Sequence, residues 1–576
     1  MNQSRPVIER SMRTWDGATL CYRAWLPESP VSKALVLFHR GHEHSGRWQH
    51  VVDALGLDDV AIFAWDARGH GRSSGDRGAA ESVAALVKDA DAFAAHVATT
   101  YGISTENTIL MAHSVGAVIA AAWVHDYAPP VRGMILATPA FRVKLYVPGA
   151  VPLLRLRQAT LGPGFVKSYV KAKLLTHDAA EAAAYERDPM IFRQIAVNML
   201  LDLHDTSTRL LADAGAIQTP TLVLSAGRDW IVRLDAQQKF FAGLSSPVKA
   251  MQVFPGFFHA IFHERDRQMA ILAVREFVLE RFAAPAPGES SSSGQVPSHT
   301  KAEHDRLRSP GGRRYIPVRW ALKTVGALSE GVRLGWRTGF DSGMTLDYVY
   351  ENRVRGVTPL GRLIDRAFLD SIGWRGIRQR RVHLERLIHQ AIDRIRRAQK
   401  PAHVLDIAAG PGRYVLETLR SAEPPVTALL RDGRQENVQA GRALATRLGV
   451  RGVTFACGDA FDAQGIADTR PRPTIAIVSG LYELFPDNAP VTTSLRGVAD
   501  ALEPGGYLVY TNQPWHPQLE FIARTLTNRD GQPWIMRRRT QAEMDQLVRA
   551  AGFRKLTMEI DRWGIFTVSL AQKVAA

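Results

Sequence analysis

The sequence predicts an α/β protein built on two separate, mostly parallel sheets, and three observations predict it. Two stretches share one pattern, an apolar run of strand length that ends in small residues and passes straight into a helix: Thr108-Ile-Leu-Met-Ala-His-Ser-Val-Gly116 and Val404-Leu-Asp-Ile-Ala-Ala-Gly-Pro-Gly412. Around each, further apolar runs alternate with helical periodicity, the pattern of βαβ units. Between them, residues 283–312 carry Ala-Ala-Pro-Ala-Pro-Gly-Glu, four serines and a later Pro-Gly-Gly, which is the composition of a linker. A chain of 576 residues is too long for one core, and two large domains are the simplest division.

Composition narrows the class. Hydrophobic residues make up 46% and charged residues 22%, as in an ordinary globular protein. With only Cys21 and Cys457 there is no disulfide framework, so a reducing cytoplasm is expected. The first twenty residues are polar and no run approaches about 18 apolar residues, so neither a secretion signal nor a membrane span is expected. The net charge of +16 is concentrated: residues 301–400 hold 22 Lys or Arg against 10 Asp or Glu, a net +12. Such a segment could meet nucleic acid, an anionic membrane surface or an acidic substrate, or it could be a solvated helical face.

In chain order, residues 10–26 alternate as an opening hairpin, and Ala34-Leu-Val-Leu-Phe38 is a buried strand that ends at His39-Arg-Gly41-His-Glu-His-Ser-Gly-Arg-Trp48. A glycine just past such a strand lets a backbone N–H face a reacting carbonyl. Val60–Trp65 is the next strand, closed by Asp66-Ala-Arg-Gly-His-Gly-Arg-Ser73, and Ser82–Thr99 is an amphipathic helix. The stretch ending at Gly116 is a strand, a sharp turn and a helix with Ser114 at the turn, where close approach requires small residues such as Ala112 and Gly116. Downstream, Thr221–Gly227 delivers Asp229 and Met251–Phe258 delivers His259. Residues 141–215 are too long for a simple connection and read as a cap; Val147–Leu175 mixes apolar residues with Arg155, Arg157, Lys167, Lys171 and Lys173.

These motifs resemble the α/β-hydrolase superfamily over residues 1–282, and most of all its monoacylglycerol lipase and lysophospholipase branch. The resemblance implies a nucleophile Ser114, an acid Asp229 and a base His259 in that chain order, with the N–H groups of Gly41 and Val115 as oxyanion donors. Arg40 departs from the branch, which has glycine there. Close-set His39, His42, His44 and His70 also invite a metal reading, but they coincide with the hydrolase pattern, and no metal is expected.

Past the linker, residues 313–400 read as basic helices holding Trp320, Trp336, Tyr348, Tyr350 and Trp374, without any recognised nucleic-acid motif. Membrane or substrate contact is therefore ranked above nucleic acid. His403-Val-Leu-Asp406-Ile-Ala-Ala-Gly410-Pro-Gly412 then forms a strand, a small-residue loop and a helix start. Val426–Leu430 ends near Asp432, Val453–Cys457 near Asp459, and Thr474–Gly480 and Leu502–Tyr510 supply further strands. The series resembles class I S-adenosylmethionine-dependent methyltransferases over residues 401–572. The resemblance implies S-adenosylmethionine as cofactor, held by Asp406, Gly410 and Gly412 at the methionine end, Asp432 at the ribose and Asp459 at the adenine. Ala408 replaces the first glycine of the commonest pattern. Tyr482, Glu483 and Trp515 are positional candidates for the methyl-acceptor side.

The expected organisation is thus an α/β-hydrolase domain over 1–282 with a helical cap near 141–215, a flexible linker over 283–312, a basic helical region over 313–400 and a Rossmann-like methyltransferase domain over 401–576. The expected function is a serine esterase or lipase, acting on a small-molecule or lipid ester, fused to a methyltransferase. Two alternatives stay open: an esterase with an inactive cofactor-binding regulatory domain, and a basic adaptor for membrane or nucleic acid. The expected location is cytoplasmic with peripheral contact at an anionic inner membrane surface, and the oligomeric state is left open.

Overall fold

The structure, a computed structural model, describes residues 4–285, 299–309, 311–422 and 426–574. It divides into two compact units, residues 1–295 and 296–576. Much of the expected linker, residues 286–298, lies outside the described residues, whereas His299–Arg308 within it is a helix. That helix belongs to the second unit, where Thr300 Oγ1 accepts from Arg537 Nη1 at 2.5 Å and Glu303 Oε2 accepts from Arg538 Nε at 2.5 Å.

The first unit is built on an eight-stranded sheet. Its strands are β1 (Ile8–Arg13), β2 (Thr19–Trp25), β3 (Ala34–Phe38), β4 (Ala61–Trp65), β5 (Thr108–His113) and β6 (Gly133–Ala137). A small hairpin, β7 (Phe165–Lys167) and β8 (Gln194–Ala196), lies in the cap, and β9 (Thr221–Ala226) and β10 (Lys249–Phe254) complete the sheet. The order is β1-β2-β4-β3-β5-β6-β9-β10, parallel from β4 onward with β2 antiparallel to β4. Strands β3, β4, β5, β6 and β9 are buried along their whole length, as strands covered on both faces must be, which is why they read as unbroken apolar runs. This is the α/β-hydrolase fold. The cap also holds the helices Ala150–Leu161, Ala179–Arg187 and Val197–Ala212.

The second unit has a seven-stranded sheet of β11 (Ala402–Asp406), β12 (Val426–Asp432), β13 (Val453–Cys457), β14 (Ile475–Val478), β15 (Tyr507–Asn512), β16 (Phe553–Ile560) and β17 (Thr567–Lys573). The order is β13-β12-β11-β14-β15-β17-β16, with β17 antiparallel to both neighbours. A parallel sheet whose strand order reverses between β11 and β14 places a crevice at their carboxyl ends. This is the Rossmann-like fold of class I methyltransferases. The basic segment is part of the same unit. Its longest helix, Ile372–Arg397, buries Leu384, Leu387, Ile388, Ala391 and Ile392 in one core with Val404, Ile475 and Val509 of the sheet. Its apolar residues recur at helical spacing, so most of its charges fall on the opposite face, with Arg380 buried. Among the described residues no helix is long and apolar enough to cross a membrane.

Candidate functional site

In the first unit the turn after β5 holds Ser114 at φ 56° and ψ −111°, in the left-handed half of backbone space that a serine rarely enters. The turn closes because Gly116 lacks a side chain: a Cβ there would lie 2.5 Å from the carbonyl oxygen of His39. Ser114 Oγ is 2.8 Å from His259 Nε2, and His259 Nδ1 is 2.8 Å from Asp229 Oδ2. All three residues are buried. The other Asp229 oxygen accepts from the N–H groups of Ile231 at 2.7 Å and Val232 at 2.9 Å. Burial works against this carboxylate, but His259 and the two amides outweigh it and hold the group below its ordinary value. The carbonyl of His259 accepts from Thr138 Oγ1 at 3.0 Å and lies 3.1 Å from His113 Nε2, which fixes the loop that carries the imidazole.

Gly41 and Val115 sit together beside Ser114 on the wall of a cavity of about 400 Å³. A Cβ on Gly41 would lie 3.3 Å from Val115 Cγ2, so the Gly41 backbone packs against the Val115 side chain. Arg40, the departure from the branch, leaves this approach intact: it is buried against Glu43 at 2.7 Å and stacks 4.9 Å from the ring of Tyr185 in the cap. The neighbouring residues do the same work of joining loop to cap. His42 Nε2 is 3.0 Å from Ser168 Oγ, His44 Nε2 is 2.9 Å from Asp188, and Arg47 donates to Glu181 at 3.1 Å. His39 Nε2 accepts from the N–H of Ala67 at 3.0 Å, and His70 Nδ1 lies 3.0 Å from the carbonyl of Arg68. Among the described residues no group of three His, Cys, Asp or Glu side chains is placed to hold a metal ion. The rest of the cavity wall is largely aliphatic, with Val143, Leu145, Leu153, Ile195, Met199 and Leu203 contributed by the cap region.

In the second unit the loop after β11 carries Gly410 at φ 56° and Gly412 at φ 73°, and a Cβ on Gly412 would strike Leu430 Cδ1 at 2.5 Å. Gly410, Gly412 and Asp432 line one cleft. Asp432 Oδ2 accepts from the N–H of Gly410 at 2.9 Å, while Oδ1 accepts from Arg434 N and Asn437 Nδ2, both at 2.9 Å. Asp406 and Asp459 stand elsewhere. Asp406 is wholly buried beneath the loop, accepting from Ala408 N at 3.1 Å and Tyr414 Oη at 2.6 Å, and burial pushes its carboxyl up to about 7. It shapes the loop from below. Asp459 is exposed and accepts from the N–H of Phe461 at 2.9 Å, as a turn residue does.

Several cleft residues come from the helical segment before the sheet: Asp341, Gly343, Asp347, Tyr350 and Arg380. Nothing at motif level marks them, since they meet the glycine loop only through tertiary packing. Of the acceptor-side candidates, Glu483 lines an adjoining cavity, Tyr482 is buried with its hydroxyl 3.1 Å from Ser494 Oγ, and Trp515 lies under the Arg538 guanidinium at 5.6 Å.

Strand order, elbow and relay in one half, and glycine loop and strand-end acid in the other, define an α/β serine hydrolase of lipase and esterase type joined to a class I methyltransferase-like domain. Comparison with known proteins gives the family: the chain belongs to the one described as "putative methyltransferase", whose profile matches residues 274–573. The profile of the serine aminopeptidase S33 hydrolases matches residues 29–266. The chain is 48% identical over 584 residues to the "Uncharacterized protein YnbC" of Escherichia coli strain K12, covering 99% of each. It is 26% identical over 280 residues to the monoacylglycerol lipase of Mycolicibacterium smegmatis, covering 47% of this chain and 96% of that one. A crystal structure of a Paleococcus ferrophilus monoacylglycerol lipase aligns with a TM-score of 0.41 at 22% identity, covering 48% of this chain and 99% of that one.

Proposed function

We propose that the protein is bifunctional, a serine esterase acting on acylglycerol-type or lysophospholipid-type esters and an S-adenosylmethionine-dependent methyltransferase. The observation that carries the first activity is the continuous relay from Ser114 Oγ through His259 to Asp229, at 2.8 Å in each step, opening on an apolar cavity. His259 takes the serine proton as Oγ attacks the ester carbonyl, and Asp229 holds the imidazole and stabilises its charged form. The N–H groups of Gly41 and Val115 are the donors for the developing oxyanion, and water then cleaves the acyl-enzyme. The aliphatic wall suits an acyl chain, and the similarity to monoacylglycerol lipase supports that substrate class.

For the second activity, the fit rests on the Asp432 carboxylate and the close approach allowed by Gly410 and Gly412. Asp432 would hold the ribose hydroxyls and the loop amides the amino-acid end, with Asp406 keeping the loop in place. The cofactor supplies an electrophilic methyl group when bound.

The test is fatty-acid release from a monoacylglycerol by the full chain. Ser114→Ala should lower turnover by more than about a thousand-fold, because it removes the nucleophile itself. Unchanged turnover in that variant sinks the esterase reading.

A further inference from the structure

The second unit contains a further cavity of about 330 Å³ beside the glycine-loop cleft. Arg380 and Gly480 line both this cavity and the glycine-loop cleft, so the two spaces adjoin. Most of its wall is apolar, including Phe340, Phe368, Trp374 and Phe521. Three of its polar residues stand past the carboxyl ends of two strands: Glu483 follows β14, and Gln513 and His516 follow β15. That is where open α/β sheets place their ligands.

Buried polar atoms are ordinarily partnered, and several here are not. Gln513 is 1% exposed and has no partner at Nε2 or Oε1; Arg380 has none at Nε and Trp534 none at Nε1. His516 Nδ1 accepts from the N–H of Gln518 at 3.1 Å, and burial lowers the imidazole to about 4, so near pH 7 the neutral ring carries its proton on Nε2. The lining is therefore rich in donors. Its two carboxylates are already engaged, Glu483 by Arg380 at 3.4 Å and Asp341 by Arg529 at 3.0 Å. A donor surplus inside an apolar pocket calls for an apolar ligand that ends in accepting, anionic oxygen.

We propose that this cavity is the methyl-acceptor site and that it takes an apolar carboxylic acid, bound as its carboxylate. The proposal rests on the S-adenosylmethionine reading above. One carboxylate oxygen forms a bond to the methyl carbon of the sulfonium, the S–CH₃ bond breaks, and its electron pair stays on sulfur. The products are a methyl ester and S-adenosylhomocysteine. No proton moves, so the site needs no base. An ester hydrolase releases a carboxylic acid, so a reaction able to supply this substrate would be encoded in the same chain. A medium-chain fatty acid supplies both features, an apolar chain and a terminal carboxylate.

Decanoate is therefore the probe, tested on the full-length Ser114→Ala chain so that any ester formed is not hydrolysed again. In the presence of S-adenosylhomocysteine, calorimetry should show decanoate binding and decanol binding at least about ten-fold more weakly. Label from S-adenosylmethionine should appear in methyl decanoate. Gln513→Leu and Trp534→Phe should each weaken decanoate at least about ten-fold while leaving S-adenosylhomocysteine affinity unchanged, which also reports that the unit is folded. If S-adenosylhomocysteine binds but decanoate does not, or decanol is bound and methylated equally well, the acid proposal is overturned and the cofactor reading stands. If the folded chain does not bind S-adenosylhomocysteine, the cofactor reading falls and takes the proposal with it.

Discussion

The two strand-end sites differ in what they already contain. In the hydrolase unit the groups of the proposed relay are all residues of the chain, and each is held by a partner: Ser114 by His259, His259 by Asp229, and Asp229 by two amides. In the methyltransferase unit the strand-end acid Asp432 bonds its own loop, while the adjoining cavity keeps buried donors without partners. A nucleophile that forms a covalent intermediate must be aligned before substrate arrives. A transfer between two bound molecules lets those molecules complete the polar network.

That contrast can be tested by substitutions that remove one partner in each unit. The largest effect is expected for Asp229→Asn, which keeps the shape of the relay but holds His259 in the wrong tautomer; ester turnover should fall about ten-thousand-fold. Binding of S-adenosylhomocysteine should not change. Equal loss at both sites would show that the two chemistries are not separable. A smaller effect is expected for Asp432→Ala. Charge-assisted bonds to two hydroxyls are worth roughly 1.5 to 3 kcal/mol, so S-adenosylhomocysteine affinity should drop about ten-fold to a hundred-fold, with ester turnover untouched. An unchanged dissociation constant in this variant would remove Asp432 from the site.

The contrast also bears on stability against pH. Burial lowers His70 and His113 to about 3 and His42 to about 4, so the folded hydrolase unit keeps them neutral. Their unfolded counterparts protonate near 6.5, so this stability is complete above that pH and is lost as the pH falls below it, by about 2 kcal/mol per histidine at pH 5. In the other unit Asp406, raised to about 7, has the opposite sign: stability is greatest below the unfolded value near 4 and declines as pH rises toward 7. His516, lowered to about 4, behaves like the histidines of the first unit and nearly offsets it. Hydrogen exchange between pH 7 and 5 should therefore show the hydrolase core losing protection first. Earlier loss in the methyltransferase core would contradict the assignment.

Legibility followed the same division. Ser114, Asp229 and His259 each stand just past an apolar run, so the strand pattern located them, and the resemblance to the α/β-hydrolases supplied their roles. The glycine loop and Asp432 were legible for the same reason. Asp406 and Asp459 were also read from strand ends, but a strand end does not say whether a carboxylate points into the crevice, beneath the loop or out to solvent. Asp341, Gly343 and Arg380 were invisible as site residues because they approach the loop across a stretch of charged helices whose basic composition drew attention to surfaces instead. Gln513 and His516 carry no motif, and only their burial in an apolar wall distinguishes them. The closing antiparallel pair β16 and β17 likewise had no signal as strong as the buried parallel runs.

The central claim is that one chain carries two separate sites, one in each unit. It is tested most directly by treating the full-length protein with a fluorophosphonate, mapping the modified residue by mass spectrometry and titrating the product with S-adenosylhomocysteine. Modification at Ser114 alone, with ester turnover lost and S-adenosylhomocysteine affinity unchanged, is the predicted result. Modification at another serine, or a folded protein that binds no S-adenosylhomocysteine before or after treatment, would contradict it.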